Sequence, residues 1–394
     1  MIRNLIDIPL KVCIIYGKTF LMSSVENMKS NKKKEITMLR IGILGCGPRG
    51  MQMGCITKLL PEICILSAMS DPDKTHLQKA AELFPGTALF ESSDALLDSG
   101  KVDAVITEIP PALHTEYVVK ALERNIHVLA EIPAADTIEE GNLLWKKVNS
   151  SRAMYMCGST PNYRSKTLLA KKIQDLGLLG KIAYAESEYI HDLTRSNDAW
   201  RSTYESCRYC THSLAPVLEL KNEELVSVSC MSTYNQLNNN STHNAMCAMY
   251  RTKSNFVIRV LTAFGLPYKG APHTTRIFAE KGYAILQNDK LQLYLHALGD
   301  YVTNNKPLEI ELTPKGTDKP ANMKIVDEAL FLKGECGHNG SDNLMLKDFI
   351  TAIEKNKESP ISIKDALKLT LPGIYAAESA KEGGALKEIR YPWN

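Results

Sequence analysis

The sequence has no large excess of charge of either sign. Its 394 residues carry 47 Lys and Arg against 44 Asp and Glu. Residues 1–38 hold seven of the basic and three of the acidic residues, which leaves 40 basic and 41 acidic residues in 39–394. This nearly neutral body lacks the basic surface that binds nucleic acid or an anionic membrane. We therefore expect neither partner.

The sequence also has no apolar run near its start that is long enough to cross a membrane. Asp7, Lys11 and Lys18 interrupt the apolar residues there. No cleavage site of small residues follows, which argues against a signal peptide. We expect residues 1–38 to be a leader outside the fold, either disordered or the product of an over-called start codon.

The ten cysteines lack the spacing of a disulfide framework. Scattered cysteines in a chain of this size favour free thiols and a reducing, cytoplasmic location. Cys207 and Cys210 have the spacing of redox and zinc sites, but no second pair or nearby histidine pair accompanies them. We therefore favour free thiols at this pair and expect no bound metal.

The composition is that of a globular protein, with 44% hydrophobic and 23% charged residues. From Leu39 onward, short apolar runs alternate with segments of helical periodicity. The predicted strands are Leu39–Leu44, Ile63–Ser70, Ala88–Phe90, Val102–Ile109, His127–Ala130 and Met154–Cys157. Such alternation predicts a doubly wound parallel sheet with helices on both faces. We expect an α/β Rossmann domain over residues 39–158.

The pattern changes after Tyr163. A helix over Lys166–Leu176 precedes several strands that have no helices between them. These strands are Ile182–Ile190, Val226–Tyr234, Ala245–Tyr250, Asn255–Thr262, Thr274–Ala279 and Tyr283–Leu286, followed by helices at Asp342–Lys355 and Ile363–Lys381. We therefore expect residues 159–394 to form a substrate-binding α+β domain with a largely antiparallel open sheet.

A glycine-rich turn follows the first predicted strand. Gly45-Cys46-Gly47-Pro48-Arg49-Gly50 matches G-x-G-x-x-G, and Asp71 ends the second strand 21 residues after Gly50. The glycines allow a tight turn, close approach to a pyrophosphate and close helix packing. Asp71 would bind the adenosine ribose and repel a 2′-phosphate. The context predicts NAD binding; a glycine-rich turn without cofactor is the alternative.

Two later strand ends point to the same crevice, because ligands of doubly wound sheets lie at the carboxyl ends of the strands. One carries Pro110 and His114, and the other carries Glu131 and Ile132. His114 could equally be a capping or core histidine.

These residues resemble the Gfo/Idh/MocA oxidoreductases over about residues 39–390. The resemblance implies a Rossmann domain, an α/β substrate domain and a sugar-handling activity. The family usually reads Glu-Lys-Pro, with its lysine near the nicotinamide and the reacting hydroxyl, whereas this sequence has Ile132 at that position. Isoleucine can neither lower the pKa of a hydroxyl nor transfer a proton.

The NAD-dependent α-N-acetylgalactosaminidases show the same departure and read Glu-Val-Pro-Ala-Ala. Similar stretches here are Glu131-Ile132-Pro133-Ala134-Ala135, Tyr189-Ile190-His191-Asp192-Leu193, Trp200-Arg201 and Tyr209-Cys210-Thr211-His212-Ser213-Leu214-Ala215-Pro216-Val217. The resemblance implies substrate contacts by Tyr189, His191, Arg201, Tyr209, His212 and Tyr268. A cofactor-contacting asparagine of that branch falls at Thr160.

The resemblance also implies a mechanism. Hydride leaves carbon 3 of the sugar for NAD⁺, the ketone acidifies the carbon 2 proton, the aglycone is eliminated, and water and hydride are then added. We expect His212 to be a base, Tyr209 and Tyr189 to position hydroxyls or shuttle a proton, and Tyr163 to act near the cofactor. The alternatives are strand packing for the tyrosines and a structural histidine, in a loop before a proline, for His212.

We therefore expect an NAD-dependent carbohydrate-active enzyme that hydrolyses a glycoside by transient oxidation. A net sugar or cyclitol dehydrogenase and a non-catalytic sugar or nucleotide sensor are the alternatives. His338, in a glycine-flanked loop, is a further site candidate, whereas His76, His243 and His296 receive no role. The family often forms dimers or tetramers through the carboxyl-terminal sheet, and a homodimer or homotetramer is the corresponding expectation.

Overall fold

The computed structural model describes residues 38–192, 204–237, 243–288, 290–296, 308–311 and 338–394, the backbone alone for 308–311. The expected leader and Arg201 lie outside these residues, apart from Met38. Among the described residues, no helix is both long and apolar enough to cross a lipid bilayer.

The first sheet has six parallel strands in the order β3-β2-β1-β4-β5-β6. Its strands are β1 (Leu39–Leu44), β2 (Cys64–Ser70), β3 (Ala88–Phe90), β4 (Ala104–Thr107), β5 (His127–Ala130) and β6 (Tyr155–Cys157). Its helices are α1 (Pro48–Lys58), α2 (Lys74–Leu83), α3 (Ser93–Asp98), α4 (His114–Glu123) and α5 (Ile138–Ser150). The predicted doubly wound sheet is confirmed, and its strand order reverses between β1 and β4, where ligands of such sheets bind.

Local sequence accounts for the ends of these elements. Thr137 and Glu140 form a capping box at the start of α5, each bonding the backbone of the other, which satisfies N–H groups that have no partner inside the helix. The segment after β4 begins with a 3₁₀ turn, Pro111–Leu113, which is followed by α4 from His114.

The second sheet has the order β14-β13-β12-β11-β7-β10-β9-β8-β15. Its strands are β7 (Ile182–Ile190), β8 (Leu225–Ser232), β9 (Met246–Thr252), β10 (Val257–Ala263), β11 (His273–Ala279), β12 (Gly282–Gln287), β13 (Lys290–Leu295), β14 (Leu308–Glu311) and β15 (Lys387–Glu388). The described pairs are antiparallel apart from β7 with β10. The predicted largely antiparallel sheet is thus confirmed.

In the described part of the chain, four helices accompany this sheet: α6 (Ser165–Asp175), α7 (Thr211–Leu220), α8 (Ser341–Glu354) and α9 (Ile363–Lys381). Helix α7 was missing from the prediction, which placed His212 in a loop. Pro216 lies inside this helix, and an interior proline normally argues against one.

Helix α9 contacts both sheets. It packs on β8 of the second sheet and on α5 and β6 of the first. Gly141 of α5 leaves room for Leu371, because a Cβ there would lie 2.9 Å from the Leu371 Cδ2 atom. The Cys157 amide also donates to the Ile361 carbonyl over 3.0 Å, so the edge of the first sheet is fixed to the segment that leads into α9.

Candidate active site

The glycine-rich turn joins β1 to α1 with the geometry of a dinucleotide cradle. Gly45 has a φ of +96°, and a Cβ there would overlap the Glu108 carbonyl. A Cβ at Gly50 would overlap the Gly45 carbonyl, whereas Gly47 has no atom within 4 Å of its Cβ position. The turn therefore closes tightly on the protein side and stays open at Gly47, at the amino terminus of α1, where a pyrophosphate would lie.

Asp71 follows β2 at the edge of this cradle. Its Oδ2 atom accepts the Cys46 amide over 2.7 Å and its Oδ1 atom accepts the Asp73 amide over 2.8 Å. The imidazole of His76 lies 3.3 Å from Oδ2. These contacts fix the carboxylate where an adenosine ribose would reach it.

Arg49, predicted to be a cofactor contact, pairs with carboxylates. Its Nε donates to Glu131 over 2.9 Å, and its two terminal nitrogens donate to Asp342 over 2.7 and 2.9 Å. The Oε1 of Glu108 lies 3.8 Å from Nε. The guanidinium thus joins the cradle and the ends of β4 and β5 to the start of α8.

Asp342 is completely buried and joins three segments of the chain. It accepts the hydroxyl of Thr160 over 2.9 Å, and His338 Nδ1 lies 2.9 Å away. Burial alone would raise the pKa of Asp342, but the hydrogen bonds from Arg49 and His338 hold it well below its usual value. Thr160, the predicted cofactor contact, therefore donates its hydroxyl to Asp342, the carboxylate that also binds Arg49.

Glu108 lies directly after β4, and its side chain is 2% exposed. Its Oε1 atom has no hydrogen-bond partner among the described residues. Burial and then the charge of Glu131 raise the pKa of Glu108 well above its usual value. Sequence reasoning missed this residue, although a glutamate ending a buried strand beside the cradle was a visible signal.

His114 is buried at the start of α4, close to the turn that holds Pro110. Its Nδ1 lies 2.8 Å from the Pro133 carbonyl oxygen, and its Nε2 lies 2.8 Å from that of Ile109. Both ring nitrogens thus face backbone oxygens. The imidazole ties together the two strand ends that were predicted to meet at the crevice.

Tyr163 and Ile132 are also buried. Burial and then Asp348, which accepts a hydrogen bond from its hydroxyl, raise the pKa of Tyr163. The hydroxyl is thus directed at α8, and its proton is held more tightly than in a free tyrosine. The catalytic role of Tyr163 stays a prediction.

Tyr189 is the centre of an aromatic cluster at the end of β7. Its ring centroid lies 4.5 Å from that of His212 and 4.7 Å from that of His273, nearly parallel to both. Tyr209 lies 5.0 Å from His212, and His191 lies 5.6 Å from Tyr189. The structure therefore brings together four residues predicted from sequence and adds His273.

His273 was missed because it has no recognisable motif around it; its position follows from strand register. β11 pairs with β7 so that His273 lies opposite Tyr189. Its Nε2 lies 3.2 Å from an Arg164 nitrogen, and its Nδ1 has no hydrogen-bond partner among the described residues. Burial, followed by the charge of Arg164, lowers the pKa of His273 to about 2.

The aromatic cluster and the nucleotide crevice are adjacent. Arg208, next to Tyr209, donates to Asp136 over 3.0 Å, and Asp136 follows the loop after β5. The turn Thr160–Tyr163 meets both α7 and α8. The segment after β6 consequently contacts Asp342 at Thr160 and His273 at Arg164. Tyr268, by contrast, is 41% exposed and stays a predicted substrate contact.

The Cys207–Cys210 pair packs in the interior. Cys207 directs its thiol to the Gly373 carbonyl and Cys210 directs its thiol to the Leu369 carbonyl. Both are free thiols, as favoured from the sequence. Within the part of the chain that the structure describes, no group of three His, Cys, Asp or Glu residues is placed to hold a metal ion.

The residues of the crevice fit a dinucleotide. Gly47 leaves the open face that a phosphate needs, Asp71 offers a fixed carboxylate, and the ends of β4 and β5 face the other half of the crevice. The geometry of the crevice thus agrees with the predicted binding of NAD.

Comparison with known proteins gives the same assignment for residues 39–159. The model of the oxidoreductase family GFO_IDH_MocA, described as an NAD-binding Rossmann fold, matches residues 39–159. A glycosyl hydrolase family 109 protein of Solibacter usitatus is 28% identical over 58% of this chain and 59% of its own length. The match thus spans about three fifths of that relative.

Further similarities extend over both sheets. An α-N-acetylgalactosaminidase of Tannerella forsythia is 25% identical over 93% of this chain and 88% of its own length. Levoglucosan dehydrogenase in complex with NADH and levoglucosan has a TM-score of 0.75 at 18% identity, covering 89% of this chain and 99% of that chain. At that identity the structural likeness shows the fold alone. Residues 39–159 therefore match the NAD-binding Rossmann fold of the GFO_IDH_MocA oxidoreductase family.

Proposed function

We propose that this protein is an NAD-dependent enzyme that cleaves a glycosidic bond by transient oxidation of a sugar hydroxyl. The observation that carries the proposal is the aromatic cluster of Tyr189, Tyr209, His212 and His273 beside a dinucleotide cradle. Two imidazoles and two phenols in one place suit the binding and deprotonation of sugar hydroxyls. The similarity to an α-N-acetylgalactosaminidase supports the same substrate class.

In this proposal the first sheet holds the cofactor, and residues of the second sheet and of α7 contact the sugar. When bound, NAD⁺ supplies reversible hydride acceptance. His212 would take the proton of the oxidised hydroxyl or of carbon 2, while Tyr189 and Tyr209 would bind the sugar ring and hold neighbouring hydroxyls. His273 is neutral because of its lowered pKa, so it would act as a hydrogen-bonding group rather than as a cation.

Ile132 is consistent with acid–base groups supplied by α7 and by the end of β7 rather than by the first sheet. It is buried beside Glu131, where the family usually has lysine, and it offers no proton. Proton transfer must therefore come from groups that approach from the opposite side. The Arg208–Asp136 ion pair holds the Tyr209 turn at that side.

The first experiment separates this proposal from its alternatives. The purified protein is denatured, and the released nucleotide is identified by mass spectrometry; a parallel sample receives nitrophenyl α- and β-glycosides without added nucleotide. We expect retained NAD and release of nitrophenol. Retained NAD with no release from any glycoside would contradict glycosidase activity. Steady accumulation of NADH with a free sugar or cyclitol would instead establish a net dehydrogenase.

We also propose that the protein forms a homo-oligomer through the outer face of the second sheet. Helix α7 packs against β7 and β11 on the face that carries Tyr189. The outer face bears stacked rings, with Tyr184 6.0 Å from Phe278 and Tyr283 5.4 Å from Tyr294. Phe278 is 39% exposed there. An aromatic patch on a regular sheet suits a self-complementary contact between two copies.

A further inference from the structure

Three carboxyl groups surround one guanidinium in the crevice. We call Glu108, Glu131, Asp342 and Arg49 the acid cluster. Arg49 is bound through both terminal nitrogens to Asp342 and through Nε to Glu131, and its remaining neighbour is the Gln52 amide oxygen at 2.7 Å. Four of the five N–H groups of Arg49 are therefore directed at protein oxygens.

The position of the acid cluster assigns it to one half of the cofactor. Asp71, at the end of β2, marks the adenosine side of the crevice. Glu108 and Glu131 end β4 and β5, on the other side of the switch point, which receives the nicotinamide half of a dinucleotide. The acid cluster thus lies where the redox-active ring would bind.

The acid cluster has more negative than positive charge. Asp342 is ionised, because its pKa is held low, and it is balanced by Arg49. Glu131 accepts hydrogen bonds from Arg49 and from the Ile132 amide. Burial and then the charge of Glu131 raise the pKa of Glu108 well above its usual value, which favours its protonated form. The other groups facing the cluster are Thr160, which is neutral, and His338 on Asp342.

We propose that the acid cluster makes the crevice prefer the oxidised cofactor, because the nicotinamide ring carries a positive charge in NAD⁺ and none in NADH. The inference rests on the proposed function only in that NAD(H) is the cofactor. Charges buried in a site of low dielectric constant are poorly screened, so an unbalanced carboxylate discriminates strongly between the two forms. Glu108 would ionise as the cationic ring binds beside it.

The preference would suit a reaction that consumes and restores NAD⁺ in each turnover. Each cycle has to start from the oxidised cofactor, and the acid cluster would keep the resting protein in that state. A site with balanced charge would instead hold NADH at least as readily.

The test measures the dissociation constants of NAD⁺ and NADH for the full-length protein by calorimetry after removal of retained nucleotide. We expect NAD⁺ to bind at least as tightly as NADH. Glu131→Gln should lower the dissociation constant of NADH divided by that of NAD⁺ about tenfold. This change corresponds to a shift of about 30 mV in the reduction potential of the bound two-electron couple. Glu108→Gln should reduce the same ratio about threefold, because the amide cannot ionise. Asp94→Asn, which removes a carboxylate of α3 that pairs with Lys120 of α4, should leave the ratio unchanged.

Circular dichroism shows which variants fold, and Glu108→Gln carries the test if Glu131→Gln does not fold. A ratio within twofold of the wild-type value in the folded variants would overturn the inference. A wild-type protein that binds neither nucleotide would overturn the proposed function itself, so the two failures are distinguishable.

Discussion

At the scale of single residues, His212 carries the most chemistry in the proposal. His212→Asn should lower the rate of glycoside cleavage by about 10²–10⁴-fold, because general-base catalysis contributes this much, while retained NAD is unchanged. His296→Asn, on an exposed residue after β13, is the matched control. Rates with a nitrophenyl glycoside and the nucleotide content of the purified variants check this. Wild-type rates in His212→Asn would exclude it as the base.

His273 makes a prediction about stability and pH. Its folded pKa of about 2 lies below the ordinary value of 6.5, so the unfolded chain takes up a proton that the folded protein excludes. The free energy of unfolding should therefore fall as pH decreases below about 6.5, by up to about 1.4 kcal/mol per unit.

His273→Asn should reduce that dependence. The measurement is the slope of the melting temperature between pH 7 and pH 5, compared with wild type and with His296→Asn. An unchanged slope in His273→Asn would show that His273 is protonated in the folded protein.

The positions of residues were predictable where a motif surrounds them. Gly45, Gly47, Gly50 and Asp71 have the placement expected from spacing alone. The strand end at Glu108 was visible in the sequence, but its contacts with Arg49 and Glu131 were not. The position of His273 depends on its register opposite Tyr189. Contacts across the sheet and between distant segments are absent from local sequence.

At the scale of elements, two glycine variants of the cradle turn should distinguish a loss of stability from a loss of cofactor binding. Gly47→Ala should keep the melting temperature within about 2 °C, because Gly47 has a φ of −66° and open space around its Cβ position. The methyl group would occupy the place of the pyrophosphate, so NAD affinity should fall at least tenfold. Gly50→Ala should instead destabilise the fold by about 1–3 kcal/mol through overpacking.

Thermal unfolding and NAD titration of the two variants provide the check. Equal loss of stability in both would mean that Gly47 serves the turn rather than a ligand.

Most elements of the first sheet could be predicted because a buried parallel strand is a short, uninterrupted apolar run. Helix α7 could not, because Pro216 obscured it. Strand β13 was also missed, although Leu291, Leu293 and Leu295 alternate with polar residues and are buried. That pattern was readable, whereas the nine-strand order that places β13 beside β12 depends on long-range pairing.

At the scale of the whole molecule, the proposed homo-oligomer depends on the outer face of the second sheet. Phe278→Glu should convert the proposed oligomer to a smaller species, because it puts a charge into the aromatic patch formed with Tyr184 and Tyr283. Light scattering after gel filtration measures this, and Leu83→Glu, on an exposed leucine of α2, is the control. A monomeric wild-type protein would contradict the oligomer.

Because helix α9 packs on elements of both sheets, a truncation that removes it should also affect the first sheet. A polypeptide ended after residue 158 would contain every strand of the first sheet and the complete cradle, yet it would lack the leucines that cover Gly141 and β6. We expect such a truncation to precipitate or to require detergent, as measured by the fraction left in the supernatant after centrifugation. The first sheet and α5 are thus covered in part by residues of α9, from the carboxyl-terminal end of the chain.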